Sequence, residues 1–171
     1  MGRAEQELDI LQKISQILGD GLELGQMFQR AMAVLSAGLD IQRASLVLHD
    51  EASDQLCIVA AVGLTHGEIQ RGRYAMGEGV TGRAMASGEP QIIPDVSQEP
   101  DFLNRTGSRR LGDGSATLEL RASALDRNGR GCAVGNGAIS FICVPIKDVD
   151  RYVGAISVDK PYIDEQSLEA D

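Results

Sequence analysis

The sequence contains no tryptophan, and phenylalanine and tyrosine bring the aromatic content to only 4% of its 171 residues. An interior with so few rings has to be built mainly from aliphatic side chains. No uninterrupted run of about 18 apolar residues is present, which excludes a membrane-spanning helix. The opening residues, MGRAEQELDI, have no apolar segment of the secretory type. We therefore expect a cytoplasmic protein that makes no membrane contact.

Cysteine and histidine are also scarce, with three and two residues respectively. Cys57, Cys132 and Cys143 are an odd number at wide spacings, which fits neither a disulfide framework nor a zinc or iron–sulfur site. Cys57 and Cys143 lie in apolar runs, and we interpret them as small buried residues of strands. We expect no metal and no cofactor.

Positive charge is in deficit, because 16 Lys and Arg face 25 Asp and Glu, a formal net charge of −9. A strongly acidic surface repels a phosphate backbone, so we expect no direct binding of nucleic acid by this chain. Residues 104–131 are locally basic, with six arginines against three acidic residues. The Gly/Arg-rich stretch 107–137 has no sustained apolar period and predicts a flexible insertion, in which 118–125 allows an extra strand or a helical turn.

The remaining sequence alternates between helical and strand periodicity. Apolar residues at steps of three and four predict helices over 4–18 and 22–39. The apolar face of the first helix consists of Leu8, Leu11, Ile14 and Leu18. Shorter helices are predicted over 65–71 and 80–87, the second with Gly88 at its C-cap. Strands are predicted over 43–50, 56–63, 91–96, 138–146 and 152–159. Hairpins at both ends of a helical middle indicate an α+β domain with an antiparallel sheet.

Residues 77–82 read GEGVTG and match the G-x-G-x-x-G pattern of dinucleotide-binding loops. Such a loop needs a buried strand before it, a long helix after it and an acidic residue about 20 positions further on. Here the charged stretch EIQRGRYAM precedes it, Gly88 closes the helix early, and Asp95 comes too soon. No Walker A sequence is present either. We interpret the glycines as a tight entry into a short helix, whose dipole Glu78 complements.

With its flanks, this stretch resembles the central segment of GAF domains. The matching segments are 74–83 (YAMGEGVTGR), 88–90 (GEP) and 93–96 (IPDV). Within that superfamily, 99–107 (EPDFLNRTG), 140–147 (SFICVPIK) and 154–159 (GAISVD) are similar to the nif-specific regulatory proteins of the NifA type. The resemblance extends over about residues 6–164. It implies a GAF-type fold, a central antiparallel sheet with helices packed on it, as a single domain over 1–171 with N-terminal helices over about 4–39.

The resemblance implies a regulatory sensor domain of a nitrogen-fixation transcriptional activator. In that family a GAF domain controls an AAA+ ATPase that acts on sigma-54 RNA polymerase, a module absent from this chain, so we expect no catalytic residue and no enzyme. The family also implies a small effector, 2-oxoglutarate being the first candidate, and an inhibitory flavoprotein or a PII-type protein as regulatory partners. The sequence departs from the family between Gly107 and Ile139, where related chains have a shorter link near the pocket.

In GAF domains the ligand cavity lies under the segment that joins the central strands, here about 64–106. The candidate ligand contacts in or beside it are Arg73, Thr81, Arg83, Asp95, Phe102 and Arg105. A dicarboxylate needs a fixed arginine, because a guanidinium grips a carboxylate with two hydrogen bonds, and we select Arg83 and Arg105. Each has a simpler alternative. Arg83 can be a solvated helix residue. Arg105 can pair with Asp101 or Glu99. Thr81 can cap the helix.

Two other functions stay open. One GAF branch reduces free methionine sulfoxide with cysteine thiolates, which requires an exposed thiolate and a resolving partner. Burial in apolar strands raises the pKa of a thiol, which argues against Cys57 and Cys143 in that role. Cys132 has no evident base beside it, and redox sensing there is a weaker alternative. The N-K-x-F-x-x-x-D-E signature of the cyclic-nucleotide branch is absent.

The other open function is a ligand-free dimerisation module. The helix over 4–18 has one apolar face, and in GAF domains terminal helices commonly pair with those of a second copy. We predict an isologous homodimer through the N-terminal helices. The alternative is that both helices pack on the chain's own sheet, which is favoured for 22–39 and equally open for 4–18.

Overall fold

The computed structural model describes residues 3–39, 41–106 and 139–161. In chain order these form α1 Arg3–Gly19, α2 Leu24–Leu39, β1 Arg43–Asp50, β2 Gln55–Val62, α3 His66–Arg71, β3 Arg73–Tyr74, α4 Gly79–Ser87, β4 Gln91–Ile93, β5 Ile139–Asp148 and β6 Arg151–Pro161. The helices and strands predicted within these ranges are confirmed to within a few residues at their ends. The insertion predicted over 107–137, with Cys132 and the alternatives at 118–125, lies outside the described residues.

The strands form one antiparallel sheet in the order β3-β2-β1-β6-β5-β4. Both predicted hairpins, β1–β2 and β5–β6, are present, and β1 and β6 pair with each other at the centre. In that pairing Ser45 stands opposite Ser157. The two-residue strand β3 was not predicted, because two residues are too few to show a period. An antiparallel sheet with helices on it confirms the predicted α+β, GAF-type fold.

The sheet has two faces of different character, because successive side chains of a strand point to opposite sides. On the side that we call the helix face, Phe28 and Met32 of α2 are buried against Leu46 of β1. On the side that we call the cleft face, Val47 of β1 belongs to a second core that includes Ala84 of α4. The helix predicted over 22–39 therefore packs on the chain's own sheet, as favoured.

α1 packs against α2 and has no buried residue in its described part. A Cβ atom built on Gly38 of α2 would lie 3.4 Å from Cδ1 of Ile10, so the two helices approach closely there. In the predicted apolar stripe only Ile14 is half-buried. The leucines of that stripe, Leu8, Leu11 and Leu18, are 66%, 64% and 57% exposed. The apolar surface of α1 is therefore only partly used within this chain.

The GEGVTG stretch forms the entry to α4. Gly79 has a φ of 61°, in the left-handed region that glycine adopts without steric cost. A Cβ atom on Gly82 would lie 2.5 Å from the carbonyl oxygen of Ala75, a distance that no side chain tolerates. Glu78 is the N-cap residue and Gly88 the left-handed C-cap. The backbone conformation at the entry to α4 therefore requires these glycines, as the sequence predicts.

Candidate functional site

A cleft opens on the cleft face of the sheet, between the central strands, α4 and a segment, residues 94–106, that we call the strap. It encloses about 420 Å³ of space, which includes solvent at its mouth. Little of that space is wide enough for the centre of a water molecule, so the walls stand close together. From the strap, Phe102, Leu103 and Thr106 line the cleft. Entry of a ligand therefore depends on where the strap lies.

The walls of the cleft are mostly apolar. The aliphatic contributors are Val47, Ile58, Leu64, Val80 and Leu103, and three rings join them, Tyr74, Phe102 and Phe141. The rings of Phe102 and Phe141 meet edge to face, with centroids 5.2 Å apart and planes at 79°, an arrangement that the ring quadrupoles favour. The whole chain has three phenylalanines and three tyrosines. Of the five aromatic residues in the described ranges, three therefore line this cleft.

Hydroxyl groups supply the polar part of the lining. Ser45 of β1 and Ser157 of β6 are both buried, and their Oγ atoms are 2.7 Å apart. Each hydroxyl has one donor and two acceptor sites, so the pair retains one O–H donor and free lone pairs. Thr81 and Thr106 also line the cleft. Within the described part of the chain, no charged side chain lines it.

Thr81 lies inside α4 and does not cap it, because the helix begins at Gly79. Its buried hydroxyl hydrogen-bonds the thiol of Cys143 on β5. Burial raises the pKa of Cys143 to about 12, and the hydrogen bond from Thr81 lowers it by less than burial raises it. The thiol is therefore protonated at neutral pH. Cys143 is the buried strand residue that the sequence predicts, whereas Cys57 of β2 is only half-buried.

Arg83 of α4 binds carboxylates of the strap. Its Nη1 lies 3.1 Å from Oε1 of Glu99 and 2.7 Å from Oδ2 of Asp101. Its Nη2 donates a second hydrogen bond to Oε1 of Glu99, at 3.2 Å. The chain's own acidic residues therefore occupy the guanidinium that the sequence analysis considered for a ligand.

Arg105 joins the strap to the entry of α4. It forms an ion pair with Glu78, and its Nη1 donates to the carbonyl oxygen of Arg73 at 3.0 Å. Its guanidinium carbon also lies 5.9 Å from the centroid of the Tyr74 ring, at cation–π distance. Arg105 thus pairs with Glu78, and not with the two acidic residues considered from the sequence.

Two further hydrogen bonds hold the ends of the strap. At one end, Nη2 of Arg71 donates to the carbonyl oxygen of Thr106 at 2.6 Å. At the other, Oγ of Ser140 on β5 donates to the carbonyl oxygen of Pro94 at 2.6 Å. The strap is therefore fastened at both ends as well as through its ion pairs.

The other two candidates do not line the cleft. Arg73 is exposed on β3, with Nη1 3.8 Å from Sγ of Cys57. The carboxylate of Asp95 accepts from the backbone N–H of Ser97 at 2.9 Å, in the turn that begins the strap. The structure thus brings Thr81 and Phe102 into the cleft and joins Arg83 and Arg105 to the strap.

Sequence reasoning missed the serine pair. Ser45 and Ser157 are 112 positions apart and meet only because β1 pairs with β6. A signal was present, since strand alternation places each serine on the same side as a buried apolar residue two positions away, Val47 for Ser45 and Ala155 for Ser157. In the described ranges, no group of three His, Cys, Asp or Glu residues could hold a metal ion. In the same ranges, no helix is long and apolar enough to cross a membrane.

A six-stranded antiparallel sheet with a cleft under a covering segment is the architecture of one class of protein. The GAF domain family profile matches residues 23–170, and the chain belongs to the GAF domain family. It is similar to the nif-specific regulatory protein of Herbaspirillum seropedicae, with 36% identity over 152 residues that cover 89% of this chain and 24% of that protein. It is 30% identical to the nitrogen fixation protein AnfA of Azotobacter vinelandii over 164 residues, 96% of this chain and 26% of that protein. The chain thus spans about a quarter of the length of these relatives.

Solved structures share the fold. The GAF domain of A. aeolicus nlh2, crystallised in an inactive state, aligns with a TM-score of 0.73 at 23% identity and covers 98% of this chain and 86% of that one. The free methionine-R-sulfoxide reductase from Neisseria meningitidis aligns at 0.65 with 21% identity, over 98% of this chain and 81% of that one. At such identities the likeness shows the fold alone. The resemblance to nif-specific regulators is confirmed by the regulatory protein of Herbaspirillum seropedicae.

Proposed function

We propose that this chain is the sensor domain of a nitrogen-fixation transcriptional activator. It binds a small effector at the cleft and controls an AAA+ sigma-54 activator module that lies outside this chain. The similarity to nif-specific regulators supports the regulatory class. The observation that carries the proposal is the strap, since Phe102 and Leu103 line the cleft while Glu99 and Asp101, in the same segment, are held by Arg83. The strap therefore contacts both the cleft, where an effector would bind, and the ion pairs of Arg83.

The strength of these ion pairs suits a switch. Arg83 and Arg105 are partly exposed, and an exposed ion pair contributes only about 0–1 kcal/mol. These ion pairs therefore add only a modest free energy to the closed position of the strap. A ligand shifts such an equilibrium by the difference between its affinities for the two positions. A difference of about 1.4 kcal/mol already changes the ratio of the two positions tenfold.

Within this proposal 2-oxoglutarate acts at the strap and not deep in the cleft. Its carboxylates compete with Glu99 and Asp101 for the guanidinium of Arg83, since that group binds carboxylates of any origin. A dicarboxylate bound there removes both contacts between Arg83 and the strap. The strap is then held by Arg105, by the hydrogen bonds at its ends and by the packing of Val96, Phe102 and Leu103 on the core.

Hydrogen exchange of residues 94–106, followed with millimolar 2-oxoglutarate, tests this mechanism. We expect faster exchange in the unmodified chain and a raised melting temperature, because a ligand that binds the folded state stabilises it. In Arg83→Gln, residues 94–106 should exchange fast without ligand, and 2-oxoglutarate should not change that rate. Arg30→Gln is the matched control, since Arg30 makes an exposed ion pair with Asp20 at 3.4 Å on another part of the surface. If 2-oxoglutarate does not change the exchange of residues 94–106, it is not the effector. If Arg83→Gln responds as strongly as the unmodified chain, Arg83 is not the binding site.

The proposal includes two kinds of protein partner. A second copy of the chain would pair through α1, whose exposed leucines are the kind of apolar surface that associates. An inhibitory flavoprotein or a PII-type protein is proposed as a regulator on the basis of the similarity to nif-specific regulators.

We propose that the chain is not an enzyme of the thiol-dependent type. The thiolate is the reactive form of cysteine, and burial raises the pKa of Cys143 to about 12, which leaves almost none of it ionised at neutral pH. The alternative of a methionine sulfoxide reductase therefore has less support than a sensor.

A further inference from the structure

We infer that the cleft itself takes an uncharged molecule with a single flat ring and one hydrogen-bonding group. This inference rests on the proposed function, in that it treats the cleft as the effector site, and it names the chemical class of the occupant. Four properties of the cleft lead to it: its lack of charge, its rings, its hydroxyl pair and its narrowness.

The absence of charge excludes an ionised ligand from the interior. No charged side chain of the described residues lines the cleft. The guanidinium groups around the cleft are already engaged by groups of the chain itself. Arg83 and Arg105 pair with carboxylates, and Arg71 donates to the carbonyl oxygen of Thr106. Arg43, two positions before Ser45, forms an ion pair with the buried Asp159 at 3.8 Å. A carboxylate that enters an apolar cavity loses its hydration and finds no opposite charge there, which is strongly unfavourable. A neutral molecule has no such penalty.

The rings favour a flat occupant. Phe102 and Phe141 meet edge to face, and Tyr74 also lines the cleft. A ligand ring can add to this cluster in the same edge-to-face or offset geometry. The aliphatic walls formed by Val80 and Leu103 cover the remaining apolar surface of such a ring. Because the walls stand close together, any ring enters only if the strap moves outward, and a single ring requires less movement than a fused system.

The serine pair defines the polar end of the ligand. Ser45 and Ser157 hydrogen-bond each other at 2.7 Å, and among the described residues neither has another partner. One O–H donor and several lone pairs therefore stay available in the floor of the cleft. A carbonyl, amide or hydroxyl group on the ligand can pair with them. A purely apolar ring would leave these buried groups unpaired and so would bind less tightly.

Benzamide and benzoate form a matched pair of probes, because they share size and shape and differ in charge. Since the chain contains no tryptophan, Phe102→Trp places a single reporter in the cleft. Tyr152→Trp is the control reporter, because Tyr152 packs against the same core without lining the cleft. We expect saturable fluorescence changes with benzamide in Phe102→Trp, at least about tenfold tighter than with benzoate, and none in Tyr152→Trp.

The double variant Ser45→Ala/Ser157→Ala, in the Phe102→Trp background, should weaken benzamide binding severalfold. Saturation-transfer NMR with the unmodified chain and the same two probes gives a second measurement that does not depend on the folding of any variant. Binding of benzoate as tight as that of benzamide would overturn the inferred class and leave the cleft as an effector site. If neither benzamide nor benzoate binds at tens of millimolar, the cleft is not a binding site. A change in the exchange of the strap with 2-oxoglutarate would in that case still support a sensor function.

Discussion

On the helix face, Phe28 and Met32 of α2 are buried against Leu46 and Ala60 of the sheet, and every member of that cluster is apolar. On the cleft face, β1 presents Ser45 and Val47 to the narrow cleft, which a partly exposed strap borders. One strand thus contributes to both faces within a few residues. Its two-residue period separates the surface that stabilises the fold from the surface that can receive a ligand.

The two faces also differ in how they are covered. A single helix, α2, covers the helix face with side chains that are almost fully buried. The cleft face is covered by α4 and by the strap, which has no regular secondary structure and is held by ion pairs, a few hydrogen bonds and the packing of Val96, Phe102 and Leu103. Segments with few buried apolar contacts open locally at low free energy. We therefore expect the helix face to unfold only with the whole domain and the strap to move separately.

The largest effect should come from phenylalanines on opposite faces. Phe28→Ala removes a buried ring from the packed helix face and should cost about 3–5 kcal/mol of unfolding free energy. Phe102→Ala removes a half-buried ring beside existing space and should cost less than about half of that. Urea unfolding followed by circular dichroism measures both. Equal losses would contradict a difference in packing between the two faces.

A smaller effect should appear as a pH dependence on the cleft face. The pKa of Cys143 is about 12 in the folded chain against 9.0 for an ordinary thiol, so between these values the unfolded chain ionises and the folded chain does not. The unfolding free energy should therefore fall as pH rises above about 9, by up to about 1.4 kcal/mol per pH unit.

Cys143→Ala lacks this contribution. The difference in stability between it and the unmodified chain should be constant from pH 7 to pH 8 and should shrink above about pH 9. Denaturant titrations at several pH values provide the measurement. Parallel curves up to pH 11 would mean that the thiol ionises equally easily in both states.

The smallest effect on folding should come from α1, which lies beyond the helix face. Leu11→Gln changes a side chain that is 64% exposed, so the stability of the monomer should stay within about 0.5 kcal/mol. If the proposed homodimer uses this surface, sedimentation should show weaker association. Lys13→Gln, on the opposite side of the helix, is the control. Dimers that are unaffected by Leu11→Gln, or weakened equally by Lys13→Gln, would exclude the leucine surface as the interface.

The site was harder to predict than the fold because its contacts are not local. Hydrophobic periods identified α2, β1 and both hairpins, since those patterns depend on neighbouring residues alone. Arg83 was recognised as a candidate, but its partners Glu99 and Asp101 were considered only as an alternative for Arg105. From the sequence alone, Glu78, Glu99 and Asp101 are all possible partners of either arginine. Only the path of the strap selects the pairs.

The sequence by itself determined the helices and strands, the glycine entry to α4 and the resemblance to GAF domains, because propensity, turn chemistry and motif spacing are properties of adjacent residues. The tertiary structure alone decided which side chains line the cleft. It placed Ser45 against Ser157 across 112 positions and turned the leucines of α1 outward. It also paired Arg83 of α4 and Arg105 of the strap with acidic residues of the same chain. Several partners are equally plausible for these arginines and serines in the sequence, and strand pairing and burial decide which of them meet. Because the arginines pair with acidic residues of the same chain, the lining of the cleft is uncharged.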